Sequence, residues 1–421
     1  MAIEFRELGP EYWDLFYSRL ERAFSSPPDS VEERAQWRRV AEFDRITAGW
    51  DEGSLVATSG AFSFRMTVPG GSPLPVAGVT MVSVQSTHRR RGVLTAMMRR
   101  QLDDIRRRGE SVAVLTASEP AIYGRFGYGV ASRQLRGAVD TTRVRFAAPE
   151  GVDELRMRLV DAAGAVEACE AVYAGLVPRR PGMLARQPGW ETQPLLPPTT
   201  PAASGGLLCV LAESGGELRG YARYWITPHW SAAGPESVVQ VRDVEALDPV
   251  AYAALWRYLA SIDLTAEVAF GNRPVDDPLL HLVSDVRRCG LNPRDGFHLR
   301  LVDVGAALQA RSYTTPLDVV LDIDDPFCPW NTGRWRLSAD GGSSGGADGS
   351  GTDGGGAVCE RTTDPADLAL GVRELGAAYL GDTSLHSLAG AALVRELRPG
   401  ALAATARAFH SDQAPWLPHG F

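Results

Sequence analysis

The sequence predicts a mixed α/β protein with three domains, at residues 1–135, 136–300 and 301–421. Its 421 residues exceed what one hydrophobic core usually organises, so two to three domains are expected. Two segments, 76–115 and 238–270, each have the pattern of a strand, a helix and a second strand. These two strand–helix–strand crossovers predict two related α/β domains, followed by a third domain of different composition.

The first domain begins with two helices, predicted at residues 13–23 and 31–43 from helical spacing of apolar residues. Strands at 46–50 and 55–68 flank an Asp-Glu-Gly turn and predict a hairpin. The crossover then consists of a strand from residue 76 to 84, a helix from 93 to 109 and a strand at 112–115. Helices, then antiparallel strands, then a crossover is therefore the predicted order.

The turn before the crossover helix has the sequence Thr-His-Arg-Arg-Arg-Gly at residues 87–92. A helix N-terminus exposes amide donors and carries the positive end of the helix dipole, so it favours anions. The turn lacks both Gly-x-x-x-x-Gly-Lys-Ser/Thr and Gly-x-Gly-x-x-Gly. We predict a pyrophosphate site formed by Arg89, Arg90, Arg91, Gly92, Val93, Leu94 and Thr95.

A second motif follows the crossover directly, Ala-Ser-Glu-Pro-Ala-Ile-Tyr-Gly-Arg-Phe-Gly-Tyr-Gly at residues 117–129. Arg89-x-x-Gly92-x-Leu94 is similar to the Arg/Gln-x-x-Gly-x-Gly/Ala signature of GNAT acetyltransferases, although Leu94 replaces the usual small residue. The two motifs together resemble the Eis (enhanced intracellular survival) family of GNAT N-acetyltransferases. The resemblance implies two tandem GNAT-like domains, the second degenerate, followed by a sterol-carrier-protein-like α+β domain.

The second crossover agrees with a degenerate domain. Its turn, Glu-Ala-Leu-Asp-Pro at residues 245–249, is acidic and lacks glycine, so it repels phosphate. The proline-rich segment 178–204 is predicted to be a partly mobile excursion within this domain.

The third domain is predicted to have strands at 317–323 and 334–337 and helices at 305–311, 368–380, 384–393 and 401–409. Residues 341–356, rich in Gly, Ser and Asp, are predicted to form a flexible hairpin loop and not a phosphate site.

The resemblance further implies direct acetyl transfer from acetyl-CoA to an amine within a ternary complex. Val82, Ser83 and Val84 would offer main-chain groups to pantetheine, which Ser118 and Glu119 would line. Tyr123 would be the general acid, with Tyr128 as the alternative donor, because a phenol with a pKa near ~10 is protonated at neutral pH. The α-carboxylate of the terminal residue, here Phe421, would be the general base.

The amine substrate is less clearly defined by the sequence. Phe24 and Trp37 match the family's aromatic lining, whereas residues 25–27 and Gly420 lack the carboxylates expected of an aminoglycoside site. Asp29, Glu32 and Glu33 could supply negative charge nearby. Aminoglycoside-like molecules, polyamine-like molecules and exposed protein or peptide amines therefore stay open. So do two alternatives: transfer from another acyl-CoA, and a non-enzymatic lipid- or partner-binding role of the third domain.

Composition excludes several other classes. A net charge of −8 argues against nucleic-acid binding, and no apolar run approaches the roughly 18 residues of a membrane span. The five cysteines lack Cys-x-x-Cys spacing, so we expect neither a metal site nor a disulfide framework. The N-terminal residues have no export signal, so a cytoplasmic location is expected. The sequence contains no lysine. We assign His88 to helix capping or packing. The family resemblance implies a homo-oligomer, specifically a hexamer.

Overall fold

A computed structural model describes residues 3–25, 28–196, 204–232, 234–342 and 356–421. The chain forms two compact units. The first contains Met1–Ser132, Gly296–Pro415 and Gly420–Phe421, and the second contains Arg133–Asp295 and Trp416–His419. The C-terminal residues assigned to a separate third domain therefore group mainly with the N-terminal domain. Among the described residues, no helix is long and apolar enough to cross a membrane.

The N-terminal part of the first unit has the predicted order of elements. Its helices are α1 (Trp13–Phe24), α2 (Val31–Val40), α3 (Val93–Arg107) and α4 (Pro120–Tyr123). Its strands are β1 (Glu4–Glu7), β2 (Thr47–Asp51), β3 (Ser54–Thr67), β4 (Pro73–Val84), β5 (Val112–Thr116) and β6 (Gly129–Val130). The second helix ends at Val40, three residues before the predicted end, because Ala41 is already extended.

The crossover strands β4 and β5 separate part-way along their length. Their parallel pairing covers only three positions and ends at Gly78 opposite Val114, while β4 continues to Val84. A β-bulge lies in the separated part of β4, where Met81 has a φ of 54° and one extra residue opposes β3. Helix α3 buries Met98, Leu102 and Ile105 in the core beside this sheet, as the predicted apolar stripe requires.

The second unit contains the second crossover. Its strands are β7 (Arg133–Asp140), β8 (Arg156–Asp161), β9 (Leu184–Ala185), β10 (Ser204–Ser214), β11 (Glu217–Thr227), β12 (Trp230–Ser231), β13 (Gly234–Pro235), β14 (Ser237–Ala246), β15 (Thr265–Pro274) and β16 (Asn292–Asp295). Its helices are α5 (Val166–Leu176), α6 (Pro249–Ala260) and α7 (Leu279–Leu282). The main sheet has the order β16-β7-β15-β14-β11-β10-β8. Asp248 caps α6, so the acidic turn begins this helix with a side-chain acceptor in place of an anion site.

The proline-rich segment contains β9 and short 3₁₀ helices at Val177–Arg179 and Trp190–Leu195. Residues 197–203, its most proline-rich part, lie outside the described residues, so the predicted mobility is not addressed there.

The C-terminal part of the first unit begins with β17 (Phe297–Leu301), which pairs with β5 and β6. The first sheet thus contains the order β1-β2-β3-β4-β5-β17-β6, and the predicted boundary at residue 300 differs from this pairing. Further elements are α8 (Val304–Gln309), β18 (Leu317–Asp324), β19 (Gly333–Ala339), β20 (Val358–Arg361), β21 (Leu368–Gly371), α9 (Val372–Ala378), α10 (Leu385–Gly390), β22 (Val394–Glu396) and α11 (Ala401–Phe409). The second sheet of this unit has the order β20-β19-β18-β21-β22.

The helix predicted at 368–380 is wrong over its first four residues. Leu368 and Leu370 alternate with more exposed neighbours, and the segment pairs in parallel with β18 before α9 begins at Val372. A short apolar run fits a buried strand as well as a helix, and the open position in the sheet decides between them. The predicted loop at 341–356 lies between antiparallel neighbours β19 and β20, but residues 343–355 are outside the described part.

Candidate active site

A cavity of about 360 Å³ lies in the first unit where β4 separates from β5. Four parts of the chain form its wall: helix α1 with the segment after it, strand β4, the segment after β5, and the C-terminal residue. Its lining residues are Tyr17, Leu20, Glu21, Phe24, Asp29, Trp37, Val79, Thr80, Met81, Val82, Thr116, Ser118, Glu119, Ile122, Tyr123 and Phe421. The cavity therefore brings together seven of the predicted site residues: Phe24, Trp37, Val82, Ser118, Glu119, Tyr123 and Phe421.

One face of α1 borders the cavity and was missed by the sequence analysis, except at Phe24. Tyr17, Leu20, Glu21 and Phe24 recur at helical spacing, so their side chains share a face. The same side of the helix carries the buried Trp13 and Phe16 one turn earlier, and both pack in the core together with Tyr17. The periodicity that predicted α1 therefore indicated this face, but it could not distinguish the turns that line the cavity from the turn that is buried.

The α1 side of the cavity is acidic. The Tyr17 hydroxyl donates to Asp29 Oδ2 at 2.5 Å, and the Asp29 amide donates to Glu21 Oε1 at 2.8 Å. The other Glu21 oxygen pairs with Arg34. Burial and the Asp29 carboxylate together raise the pKa of Tyr17 far above its ordinary value, so this phenol stays a donor. Glu119 also lines the cavity, so three side-chain carboxylates line it and one of them, Glu21, is paired with an arginine, which leaves excess negative charge.

The other acidic residues near α2 have different positions. Glu33 and Ser30 form a capping box at the start of α2, and Glu32 is exposed outside the cavity lining. Of the three carboxylates suggested by sequence, only Asp29 lines the cavity. Residues 26 and 27 lie outside the described part. Trp37 stacks on Phe62 with ring centroids 6.2 Å apart, which fixes the aromatic side of the wall.

Tyr123 ends α4 and is half-buried at the cavity wall. Burial, with a smaller contribution from the Glu119 carboxylate, raises the pKa of Tyr123 to about 12. Tyr128 meets its ring edge-on at 5.9 Å but is itself only 1% exposed and does not line the cavity. The Tyr128 hydroxyl has no hydrogen-bond partner among the described residues. Of the two tyrosines, Tyr123 is the one in position to meet a bound molecule.

Phe421 lines the cavity at its base. Its ring packs against Phe64 at 5.2 Å and Phe297 at 6.1 Å between centroids. Gly78, the last β4 residue paired with β5, permits this packing. A Cβ at Gly78 would lie 2.5 Å from the Phe64 ring and 3.1 Å from the Phe421 ring. The absence of a side chain at the point of strand separation therefore leaves room for the C-terminal ring.

The predicted pyrophosphate turn has the backbone expected of an anion site. Gly92 precedes α3 with a φ of 79°, and Arg90 also has a positive φ of 63°. None of the described side chains caps the helix, and a Cβ at Gly92 would meet no described atom within 4 Å. The amides of the first helical residues, Val93, Leu94 and Thr95, are therefore available to an incoming acceptor. Arg90 and Arg91 are exposed beside them, without a described ion pair.

Arg89 differs from its two neighbours. Its guanidinium donates to the Val84 carbonyl at 3.3 Å and to the Ala23 carbonyl at 3.4 Å. This side chain therefore connects the end of β4 to the end of α1. His88 is also structural in its contacts, since Nε2 lies 2.9 Å from Asp51 Oδ2 and Nδ1 lies 2.8 Å from the Thr87 hydroxyl.

The main chain of β4 beyond its pairing with β5 borders the cavity at the bulge. Thr58 donates to the Met81 carbonyl at 2.8 Å, and its hydroxyl lies 2.7 Å from the Ser83 hydroxyl. Ser83 thus turns its side chain towards β3 and offers only main-chain groups to a ligand. Val82 and Val84 are half-buried on either side of it. The positive φ of Met81 gave no signal in the sequence.

No cluster of three or more His, Cys, Asp or Glu side chains suited to a metal ion occurs within the described part of the chain. The five cysteines are buried and unpaired by disulfides. The strongest candidate site in the described part of the chain thus has two parts: the acidic and aromatic cavity, and the arginine-bearing turn at the start of α3.

Comparison with known proteins gives the class of the protein. Residues 4–131 match the acetyltransferase (GNAT) domain family, and residues 182–301 match a second acetyltransferase (GNAT) domain family. Residues 304–418 match the sterol carrier protein domain family. The protein is therefore a GNAT-type N-acetyltransferase with two GNAT domains followed by a sterol-carrier-protein-like domain, as the sequence predicted.

Individual relatives narrow the class. An uncharacterized N-acetyltransferase of Streptomyces avermitilis is 56% identical over the full length of both chains. The N-acetyltransferase Eis of Mycobacterium tuberculosis is 33% identical, with 90% of each chain covered. The crystal structure of Eis1 from Mycobacterium abscessus superposes with a TM-score of 0.83 at 32% identity, covering 100% of both chains. This chain belongs to the Eis family of N-acetyltransferases, which confirms the predicted resemblance.

Proposed function

We propose that the protein transfers an acetyl group from acetyl-CoA directly to the amine of a small polycationic molecule, within one ternary complex. GNAT domains use acetyl-CoA as co-substrate, and the turn before α3 fits its pyrophosphate. The observation that carries the proposal is the shared cavity: Tyr123, Phe421 and three carboxylates line one space of about 360 Å³ at the separation of β4 and β5.

The raised pKa of Tyr123 defines how it would act. At about 12, it lies well above the ~8.5 of an ordinary thiol, so the phenol is protonated throughout the neutral range. Complete proton transfer to a departing thiolate would then be uphill. Tyr123 would instead donate a strong hydrogen bond to the sulfur as the C–S bond breaks, and the thiolate of CoA would complete its protonation from water as it leaves. Charge-assisted bonds of this kind stabilise the transition state more than the ground state.

The acidic wall of the cavity, formed by Glu21, Asp29 and Glu119, would bind the amine substrate. An ammonium group is attracted by Glu21, Asp29 and Glu119, and a molecule with several ammonium groups gains from more than one of them. The reacting nitrogen must lose a proton before attack. We propose the α-carboxylate of Phe421 as the base, as the family resemblance implies, acting directly or through water. The packing of its ring against Phe64 and Phe297 supports a fixed position.

Two further observations bear on the alternative functions. A cavity of about 360 Å³ that must admit both the amine and the acyl group favours a short acyl chain. In the sterol-carrier-like part, Arg311 is buried among the rings of Tyr313, Tyr379 and Phe409, and donates to the carbonyls of Tyr379 and Phe409. A desolvated cation in this interior is an unfavourable neighbour for an apolar lipid.

Thiol release from acetyl-CoA with a panel of amines tests the proposal. The panel contains a monoamine, a linear polyamine, an aminoglycoside and a peptide with a free N-terminal amine. We expect the highest kcat/KM with the polycationic compounds. Asp29→Asn should raise their KM roughly 5- to 20-fold, as expected for loss of a hydrogen bond or ion pair to a charged group. Glu32→Gln removes an exposed carboxylate of the same region and should leave KM unchanged.

Two results would contradict the proposal. Preference for the monoamine over the polycations would refute the role of the acidic wall. Faster thiol release with a long-chain acyl-CoA than with acetyl-CoA would reject the proposed donor and favour the alternative acyltransferase.

The proposed base has its own test. Addition of one residue after Phe421 would displace its α-carboxylate, and amidation would remove the charge. Both changes should abolish acetyl transfer, because general base catalysis depends on that group. Melting temperature and acetyl-CoA affinity should remain near the native values, since both changes leave the Phe421 ring and the α3 turn as they are. An extended protein that turns over amines at the native rate would exclude this mechanism.

We also propose a homo-oligomer, a hexamer by family resemblance. Sedimentation velocity at micromolar concentration tests this, and a monomer would contradict it.

A further inference from the structure

We infer that the second unit has a binding site for the chain's own segment Trp416–His419, beside the separated ends of β14 and β15, and that this site positions Phe421. The functional part of the inference rests on the proposed role of Phe421 as base. The binding part stands on contacts within the second unit alone.

The two strands separate as their counterparts in the first unit do. Parallel pairing between β14 and β15 ends at Val241 opposite Phe270, although β14 continues to Ala246 and β15 to Pro274. Arg273 spans the gap, since its guanidinium donates to the Val244 carbonyl on β14 at 2.9 Å and to Asp277 Oδ2 at 2.6 Å. The far end of this cleft is therefore closed by a buried, fully engaged cation.

Trp416 is bound at the β15 edge of this cleft. Its indole nitrogen donates to Asn272 Oδ1 at 2.7 Å, and its main-chain amide donates to the Pro181 carbonyl at 3.0 Å. The Arg273 guanidinium lies 4.9 Å from the indole ring centroid, a cation–π arrangement. Asn272 also donates from Nδ2 to the Leu417 carbonyl at 2.8 Å. One amide side chain thus holds two successive residues of the segment.

The segment continues into a second contact. His419 Nε2 lies 3.1 Å from the Tyr173 hydroxyl, which itself donates to the Leu184 carbonyl at 2.7 Å. The His419 ring also packs near Tyr173 and Trp190, with centroids 5.8 Å and 6.5 Å away. Trp416 and Leu417 are buried, so the segment is held by both apolar burial and directed hydrogen bonds.

Asn272 occupies the position in the second unit that corresponds to a cavity-lining position in the first unit. In the first unit, Thr116 lies two residues beyond the last β4–β5 pair and lines the active-site cavity. Asn272 lies two residues beyond the last β14–β15 pair and binds the C-terminal segment. The position that lines the cavity in the first unit thus contacts the chain itself in the second unit. This use requires no phosphate turn, in agreement with the acidic sequence at residues 245–249.

The covalent chain connects the bound segment Trp416–His419 to Phe421. Only Gly420 separates His419 from Phe421, and two residues span at most ~7 Å. Holding Trp416–His419 therefore restricts the region that Phe421 can reach and lowers the entropy lost on ordering its carboxylate. Trp416 and Asn272 are positioning residues in this scheme, since neither lines the active-site cavity.

A carboxypeptidase that removes C-terminal aromatic residues measures release of the segment in the full-length protein. Mass spectrometry gives the rate of Phe421 loss, which follows the population of released segment when opening is fast. Asn272→Ala removes two hydrogen bonds and should raise that rate roughly 5- to 100-fold, whereas Trp416→Phe removes one and should raise it roughly 2- to 10-fold. Because both variants lose the same Trp416–Asn272 bond, the double variant should match Asn272→Ala.

Controls separate this effect from general destabilisation. Trp230→Ala removes an exposed tryptophan of the same unit that does not contact the segment, and should leave the cleavage rate native. Melting temperatures identify any variant that simply unfolds. Native cleavage rates in both Asn272→Ala and Trp416→Phe would overturn the binding site.

Measurement of kcat for acetyl transfer tests whether the bound segment positions Phe421. In the Asn272→Ala/Trp416→Ala variant, kcat should fall at least ~10-fold while acetyl-CoA affinity by calorimetry stays native, because the α3 turn is untouched. Rapid Phe421 cleavage with native kcat would overturn the positioning role and leave the binding site standing. Failure of the base assignment itself would show separately, as native activity in the C-terminally extended protein.

Discussion

Tyr123 and Tyr128 are five residues apart and in ring contact, yet of the two only Tyr123 borders the cavity. Tyr123 lines the cavity and keeps its proton because burial raises its pKa to about 12. The Tyr128 hydroxyl is sealed in the core without a described partner, and burial raises its pKa further still. The difference arises from position, since Tyr123 ends α4 and Tyr128 directly precedes β6, and not from residue type.

Substitution of each tyrosine by phenylalanine tests this difference. Tyr123→Phe should lower kcat about 10²- to 10⁴-fold, the usual contribution of a general acid, with acetyl-CoA affinity unchanged. Tyr128→Phe is the matched control. It removes a buried hydroxyl that has no described partner, so it should leave kcat near native and stability unchanged or slightly higher. Steady-state kinetics and thermal unfolding measure both. A large kcat loss only in Tyr128→Phe would reverse the assignment.

At the level of elements, the turn into α3 combines a helix start that no described side chain caps with two exposed arginines, Arg90 and Arg91. Gly92→Asp should weaken acetyl-CoA binding at least ~10-fold, because its carboxylate would repel the pyrophosphate and its side chain would strain a φ of 79°. Isothermal titration calorimetry measures the affinity.

Gly109→Asp provides the matched control for this prediction. Gly109 follows the other end of α3, has a φ of 78° and also has open space around it. This variant should lose stability from the same backbone strain but keep native affinity for acetyl-CoA. Equal loss of affinity in both variants would show that strain alone explains the Gly92 result.

Sequence periodicity predicted the elements whose signal is local. The stripe of Met98, Leu102 and Ile105 predicted α3, and the Arg-rich turn located its N-terminus. Strands that form only by pairing with a distant part of the chain could not be predicted from local periodicity. The strand at Leu368–Gly371 forms because it can pair with β18. Strand β17 joins the first sheet because it can pair with β5.

The site was predictable where a motif carried it. Tyr123, Glu119 and Gly92 lie in two continuous motifs, so their roles could be proposed from sequence. The cavity face of α1 and the bulge at Met81 belong to no motif. Tyr17 and Glu21 matter because α1 presents them to β4, and Met81 matters because β4 gains one residue relative to β3.

The whole molecule has an unusual distribution of titratable groups. All of its 43 basic residues are arginine, so these side chains keep their positive charge in moderately alkaline solution. Burial raises the pKa values of nine of the 11 tyrosines: Tyr17, Tyr123, Tyr128, Tyr173, Tyr221, Tyr224, Tyr252, Tyr313 and Tyr379. Burial likewise raises the pKa of Cys328 to about 11 and that of Cys359 to about 12.

These shifts predict loss of stability in alkaline solution. In the unfolded chain tyrosine ionises near ~10 and cysteine near ~8.5, whereas the folded protein holds these protons to higher pH. Their contribution to stability is therefore fully present below those unfolded values and is lost as pH rises towards the folded ones, because the unfolded chain releases its protons first. Each group ionised only in the unfolded chain lowers the free energy of unfolding by about 1.4 kcal/mol per pH unit. Urea unfolding followed by circular dichroism should show a nearly constant free energy from pH ~7 to ~8, then a fall that steepens above ~10. Tyrosinate absorbance should rise together with unfolding and not before it. Gradual ionisation of most tyrosines in the folded protein would show that these side chains are more accessible than the structure places them.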